Sequence, residues 1–456
     1  MNKRIVVIGG GPAGVEAASI ASLYTDPVTI VSDRPVGAWH QLLPSRVWLT
    51  AVDNLYTTHS LFASATSGLP DRSQFNLAEV RAHADRIATR WSAQQARKLQ
   101  NLGVRTVTGK ASFQSPSQLT IASDSEGDMT IEADAFIVAA GSTPFVPPPL
   151  APDGRRVFSP VTAHEMPNLP ATMIVIGDGP TGFEFVHFFS ALNIDVTWLV
   201  LPGGPSCAIA PDADPFLVDM LQRRGVQIHP GEPVVELERY DERVAAVKPN
   251  GTRYEAEMAF VTIGNRPNVA PLNLMAAGVH VDARGTVCAD GYGQTNIEGI
   301  YVAGDARQVR AGSVSMAHAR VAALHATGQE TEPYDETCMV IPFLSNPQVA
   351  QVGALSAADN SVQSVDVAME SGLKTHISGH TEGFMRLAWN RNRQVVGGLA
   401  VGYQAADALA PVAVAIRTEA TIETLASLYG PHPAISELPF MAARAAMNGS
   451  ALTTVS

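Results

Sequence analysis

A glycine-rich turn between a short apolar strand and a helix occurs twice in this chain, and no other feature constrains its fold as tightly. The first copy runs from Ile5-Val6-Val7-Ile8 through Gly9-Gly10-Gly11-Pro12-Ala13-Gly14 into the helical stretch Val15 to Ala21. The second runs from Met173-Ile174-Val175-Ile176 through Gly177-Asp178-Gly179-Pro180-Thr181-Gly182 into Phe183 to Leu192. A buried strand, a tight turn and a helix N-terminus make a pyrophosphate site, because free amides and the positive end of the helix dipole face the anion. The first glycine permits the turn, the second lets backbone approach phosphate, and the third lets the helix pack close to its strand. One such motif is a weak signal. Two, about 170 residues apart and each in the right context, predict two dinucleotide-binding units.

The two copies differ beyond their second strands. After Val28 to Val31 come Ser32 and Asp33, and Asp33 lies 19 residues past Gly14, where a carboxylate meets a ribose hydroxyl. After Val196 to Val200 come Leu201-Pro202-Gly203-Gly204. That stretch offers neither an acid for a free 2′-hydroxyl nor an arginine for a 2′-phosphate, so the choice between NADH and NADPH stays open.

Composition removes several classes. A net charge of -12 argues against a nucleic-acid partner, which would need a basic face. No run of 18 apolar residues exists, so no membrane span is expected. The three cysteines, Cys207, Cys288 and Cys338, form neither a C-x-x-C pair nor a zinc spacing, and a reducing cytoplasm with no metal site fits them best.

Between the two turns, Val80, Ala84, Ile87 and Trp91 predict a helix over 80–102 stopped by Gly103. Strand-like runs follow at Val104 to Val107, Leu119 to Ala122 and Ala135 to Ala140, the last leading into Gly141-Ser142-Thr143-Pro144. Pro147, Pro148 and Pro149 make a stiff connector and a domain edge. Later, Phe260 to Ile263 ends in Gly264-Asn265-Arg266-Pro267-Asn268, and Gly299 to Ala306 puts Asp305 at a strand end. From Tyr334 the character changes: Val395 to Val401 reads as a strand, Ala405 to Arg417 as an apolar helix, and the tail carries His432-Pro433-Ala434-Ile435-Ser436-Glu437.

In that order the motifs resemble the pyridine nucleotide-disulfide oxidoreductase family, over nearly the whole chain. The resemblance implies an α/β fold: two Rossmann-like dinucleotide-binding domains plus a C-terminal α+β dimerisation domain. Residues 1–150 and 265–333 would form the FAD-binding domain, 151–264 the NAD(P)-binding domain and 334–456 the interface domain. It implies FAD as cofactor, NAD(P)H as co-substrate and a homodimer. FAD would be held by Gly9, Gly11, Pro12, Ala13 and Gly14, by Ser32 or Asp33 at the adenosine ribose, by Ala140 and Gly141, by Gly304 and Asp305 at the ribityl chain, and by Ala317 and His318. Gly177, Gly179, Pro180, Thr181, Gly182 and Gly264 would hold the nicotinamide nucleotide.

The departure from the family is as informative. Its redox centre reads G-G-x-C-x-x-x-x-C-x-P-S-K. Here Gly37-Ala38-Trp39-His40 is followed almost at once by Pro44-Ser45-Arg46, about three residues short and without either cysteine. Disulfide exchange needs a thiolate beside the flavin and a second thiol for the substrate. The family's lysine becomes Arg46, while its partner glutamate is kept as Glu184; an Arg46–Glu184 ion pair beside the flavin ring is expected, its positive charge favouring reduced flavin. His432, held by Glu437, is the family's proton shuttle, contributed across the dimer; without thiols it would serve another acceptor or persist as an interface hydrogen bond. Trp39 and His40 read as packing, or as an aromatic wall where the disulfide stood. The expected activity is an FAD-dependent NAD(P)H oxidoreductase, of quinone or diaphorase type, that passes electrons to a small non-disulfide acceptor. The alternatives are a soluble transhydrogenase and a non-catalytic FAD-binding module.

Overall fold

The computed structural model describes residues 3–37, 39, 43–62, 70, 72–123, 127–207, 209–309, 311–356 and 361–448. The chain forms two compact units. One comprises Met1–Pro44, Arg81–Phe145 and Asn265–Asp335; the other comprises Ser45–Val80, Val146–Gly264 and Glu336–Ser456.

The first unit is built on a five-stranded parallel sheet in the order Ile300–Val302, Ala135–Val138, Ile5–Ile8, Val28–Ser32, Arg105–Thr108. The central strand is β-branched throughout and buried on both faces, as a covered parallel strand must be. Alternation sends Ile5 and Val7 to one face, against Ala17, Ala18 and Ala21 of the helix Pro12–Ala21 and Ala319, Ala322 and Ala323 of the helix Gly312–Ala326. Val6 and Ile8 go to the other face, against Phe113, Leu119 and Ile121 of an antiparallel sheet formed by Lys110–Ser115, Gln118–Ala122 and Met129–Glu132. The alanines let the two helices lie close to each other over the sheet. The predicted helix over 80–102 is observed as Leu77–Asn101.

The second unit repeats the device. Its parallel sheet has the order Gln227–Pro230, Asp195–Val200, Thr172–Ile176, Met258–Val261, Val157–Phe158, with a three-stranded antiparallel sheet of Glu236–Arg239, Val244–Val247 and Arg253–Ala256. The same unit holds a five-stranded antiparallel sheet in the order Ile341–Phe343, Gln348–Gly353, Val395–Gly402, Phe384–Trp389, Gln363–Ala368. The helix Ala405–Arg417 lies on that sheet through Ala408, Leu409 and Val412, over Gly398, where a Cβ would stand 3.0 Å from Leu409. Much of this helix's apolar character therefore serves its own domain, while Val414 faces out.

Among the elements without a counterpart in the sequence reading, the helix Leu43–Phe62 bears most on the site. Trp48, Leu49 and Val52 bury it in the second unit's core with Phe183, Phe185, Phe188 and Phe189 of the helix Pro180–Ser190, Trp48 meeting the Phe188 ring at 5.2 Å.

Candidate functional site

Both glycine turns have the geometry of a phosphate cradle. Gly9 and Gly177 hold φ of +117° and +124°, and a Cβ on either would stand 2.2 or 2.3 Å from a carbonyl oxygen, of Ala139 and Thr262 respectively. A Cβ on Gly14 or Gly182 would run into the carbonyl of Gly9 or Gly177. Gly11 and Gly179, in contrast, face open space. Each precedes a proline-started helix, Pro12–Ala21 or Pro180–Ser190, whose first amides are free for an anion. The second turn is pinned by the Trp198 indole, which donates to the Gly177 carbonyl at 2.7 Å.

In the first unit Ser32 is the last residue of its strand and is buried, its Oγ accepting from the Arg34 amide at 3.3 Å; Asp33 is exposed beyond it. Asp305, in the turn Gly304–Ala306, accepts the Ser142 hydroxyl at 2.7 Å and the Ser315 hydroxyl at 3.4 Å, and Ser142 accepts from the Asn265 amide at 3.3 Å. Ser142–Pro144 pairs antiparallel with Asn265–Pro267, and Asn268 donates to the Ala140 carbonyl at 3.2 Å while its amide donates to Gly141. Two segments that are far apart in sequence thus become one support for the Asp305 carboxylate. Ser315 was not singled out in the sequence, because a lone serine in a helix carries no signal until the fold brings its acceptor to it. Ala317 and His318 lie on the helix Gly312–Ala326, the His318 ring edge-on to Tyr334 at 4.0 Å. Gly264 has φ +107° at the end of the second unit's central segment.

In the second unit Arg46 Nη1 donates to Glu184 Oε1 at 2.6 Å, and the Glu184 side chain is 8 % exposed. The expected ion pair is therefore present between the helices Leu43–Phe62 and Pro180–Ser190. A second polar contact joins the same helices two turns along. His187 Nε2 lies 2.9 Å from Asp53 Oδ1, and Arg224 Nη1 donates to His187 Nδ1 at 2.9 Å. A guanidinium cannot accept, so the imidazole is neutral, with its proton on Nε2 toward Asp53. Burial holds the His187 pKa below the ordinary histidine value, even with Asp53 beside it. Sequence reading missed this contact. Its only trace was the spacing of Arg46 and Asp53 by seven and of Glu184 and His187 by three, which keeps each pair on one helix face.

His432 Nδ1 meets Glu437 Oε2 at 2.8 Å; the imidazole is 63 % exposed, while the carboxylate is largely covered. Trp39 packs edge-to-face on Trp91, with ring centroids 6.5 Å apart. His40 lies outside the described residues. All three cysteines are free thiols: Cys207 is buried, Cys288 exposed and Cys338 half-buried. Among the described residues no helix is long and apolar enough to cross a membrane, and no cluster of three or more His, Cys, Asp or Glu could hold a metal ion.

The family model described as Pyridine nucleotide-disulphide oxidoreductase matches residues 3–326, and that of the same family's dimerisation domain matches residues 340–443. A protein of Mycobacterium tuberculosis named NAD(P)H dehydrogenase (quinone) is 28 % identical over 98 % of this chain and 94 % of its own length. Dihydrolipoyl dehydrogenase 2 of Haloarcula marismortui is 27 % identical over 99 % of this chain and 98 % of its own length. The crystal structure of LpdA from Mycobacterium tuberculosis superimposes with a TM-score of 0.90 at 25 % identity, covering 98 % of this chain and all of that one. The flavoprotein disulfide reductase RclA of Escherichia coli shares the fold, with a TM-score of 0.82 at 16 % identity over 97 % of this chain and 99 % of that one. Homologues in this family use FAD and NAD(P)H, and the two cradles open at Gly11 and Gly179 leave room for the pyrophosphates of such cofactors. The chain is a pyridine-nucleotide flavoprotein oxidoreductase and belongs to the pyridine nucleotide-disulphide oxidoreductase family.

Proposed function

We propose that this protein carries hydride from NAD(P)H to FAD and passes the electrons to a small non-disulfide acceptor such as a quinone. One observation carries the reading: between Gly37 and Arg46, where the family's exchanging cysteines stand, this chain has none. The curated name of the Mycobacterium tuberculosis relative, NAD(P)H dehydrogenase (quinone), supports the choice of acceptor. In this reading residues 1–150 and 265–333 serve FAD, 151–264 serve the nicotinamide nucleotide and 334–456 form the dimer contact.

Bound FAD supplies a two-electron relay that accepts hydride and releases electrons singly or in pairs. The protein contributes position and charge. The amides after Gly11 and Gly179 would hold the two pyrophosphates. Asp305, oriented by Ser142 and Ser315, would accept hydrogen bonds from the sugar-alcohol chain. Arg46 would supply a spread positive charge that favours arrival of hydride, and Glu184 keeps its guanidinium in one orientation. Reduction of a quinone to a hydroquinone takes two electrons and two protons; the hydride of NAD(P)H accounts for both electrons and one proton, and His432, oriented through Nδ1 by Glu437, would deliver the second from its exposed ring.

The test is an anaerobic titration of the purified flavoprotein with NADH and then NADPH, followed by turnover with a soluble quinone, with lipoamide and with glutathione disulfide. Bleaching of the flavin absorbance without a thiolate–flavin charge-transfer band, and turnover with the quinone alone, is the expected result. A flavin that stays oxidised with both nucleotides would make the chain a binding module. Turnover of either disulfide would overturn the acceptor assignment.

A further inference from the structure

The nucleotide unit Val146–Gly264 has no acid or arginine directly after its second strand. Asp195–Val200 is followed by Leu201-Pro202-Gly203-Gly204. A cation nevertheless stands at that edge of the sheet, delivered from another element. The strand Gln227–Pro230 runs parallel beside Asp195–Val200 with Pro230 opposite Val200, and the Gly231 amide donates to the Val200 carbonyl at 3.0 Å. Gly231 therefore flanks the carboxyl end of the second strand, where the adenosine ribose lies in a unit of this kind. Lys248 follows the strand Val244–Val247 of the antiparallel sheet and reaches this place: its Nζ is 3.0 Å from where a Cβ on Gly231 would be.

Lys248 is only 5 % exposed. Among the described residues its ammonium has no hydrogen-bond acceptor and no carboxylate within ion-pair distance. Its neighbour is the Tyr254 ring, 5.4 Å to the centroid, a ring that also meets His229 at 4.9 Å. The stem of Lys248 is packed while its ammonium stays at the surface with only an aromatic face beside it, so the charge is held in place and open to an anion. The pyrophosphate is not that anion. It belongs to the turn Gly177–Gly182 after Thr172–Ile176, two strands away in the sheet and so about 10 Å distant. The nucleotide's adenosine end is what reaches the outer strands, and its one further anionic group is the 2′-phosphate of NADPH.

We propose that Lys248 is the specificity residue of the nicotinamide-nucleotide site, binding the adenosine 2′-phosphate, so that this protein takes NADPH in preference to NADH. The assignment rests on the reading of Gly177–Gly182 as the nicotinamide-nucleotide turn. A lysine suits the task because it acts on phosphate as a point charge and needs no bidentate approach. Val200 ends the second strand, Leu201 follows it, and the one acid next in sequence to Gly231 is Glu232, whose side chain makes no ion pair with Lys248 among the described residues.

The experiment uses the FAD-loaded protein and measures binding of adenosine 2′,5′-bisphosphate and of 5′-ADP by calorimetry, without turnover. The bisphosphate is expected to bind at least about tenfold more tightly, the usual worth of one hydrogen bond to a charged group. Lys248→Met is expected to close that gap by weakening the bisphosphate alone, and Lys248→Arg to keep most of it. Equal affinity of the two ligands for the unmodified protein would overturn the proposal without any variant, as would a gap that survives in Lys248→Met. Failure of both ligands to bind would overturn the nucleotide turn and this proposal together. Flavin bleaching by NADPH with equal binding of the two ligands would leave the reductase reading intact and remove Lys248 from it.

Discussion

Glu184 and His187 show what burial does to single ionisable groups one helical turn apart. The Glu184 carboxylate is almost covered and its charge is answered by Arg46, whose own side chain is 29 % exposed. Removing the guanidinium leaves a desolvated carboxylate. Arg46→Met is expected to cost about 1–3 kcal/mol in urea unfolding, toward the low end because water reaches the pair, and to slow flavin reduction by NAD(P)H. Arg46→Lys and Glu184→Gln with normal flavin spectra and reduction rates would count against a role for the pair in hydride transfer. His187 behaves oppositely, being held neutral. Its folded pKa lies below the unfolded value, with burial as the main cause. The unfolded chain therefore binds more protons as pH falls below about 6.5, and the stability contributed by the neutral imidazole is lost from there downward. His380, also lowered mainly by burial, has the same sign. Unfolding free energy should fall between pH 7.5 and pH 5.5, and His187→Gln should flatten part of that slope; an unchanged slope would show that His187 does not titrate on unfolding.

At the scale of elements, the helix Leu43–Phe62 matters most. It carries Arg46 and Asp53 on one side and buries Trp48, Leu49 and Val52 among the phenylalanines of Pro180–Ser190. Its sequence is a poor helix by local preference: Thr50, Asp53, Asn54, Thr57 and Thr58 are all weak formers, and the apolar positions are interspersed among them. Tertiary packing decides such a segment. Trp48→Ala is accordingly expected to cost about 3–5 kcal/mol, read as a lower urea midpoint at unchanged m-value. A loss below 1 kcal/mol would mean that the helix is held by its polar contacts instead. The helices behind the two glycine turns were legible because proline, glycine and apolar residues stand at fixed offsets within one short stretch. The five-stranded antiparallel sheet of the second unit was legible only at Val395–Gly402, whose continuous apolar run marks the central strand; its neighbours lack that signature.

For the whole molecule, the decisive question is whether its chemistry depends on sulfur. Cys207 is buried, with its thiol pushed up to about 11 mainly by desolvation, so it stays protonated and unreactive at neutral pH. Cys288 is exposed and will alkylate. Treatment with iodoacetamide, with the modified sites counted by mass spectrometry, is expected to label Cys288 and leave NADPH-to-quinone turnover unchanged. Loss of turnover in step with labelling would bring a thiol back into the mechanism. What the sequence determined by itself was the pair of dinucleotide units, their order and the missing cysteines, because turn chemistry and strand periodicity are written in contiguous residues. The Arg46–Glu184 contact was legible only through family resemblance, since 138 residues separate its partners. The support of Asp305 by Ser142 and Ser315, the Asp53–His187–Arg224 contact and the placement of Lys248 beside Gly231 were decided by the tertiary structure. In each, a polar side chain takes its meaning from the group that packing sets against it and from the water that packing removes, and neither is local to the chain.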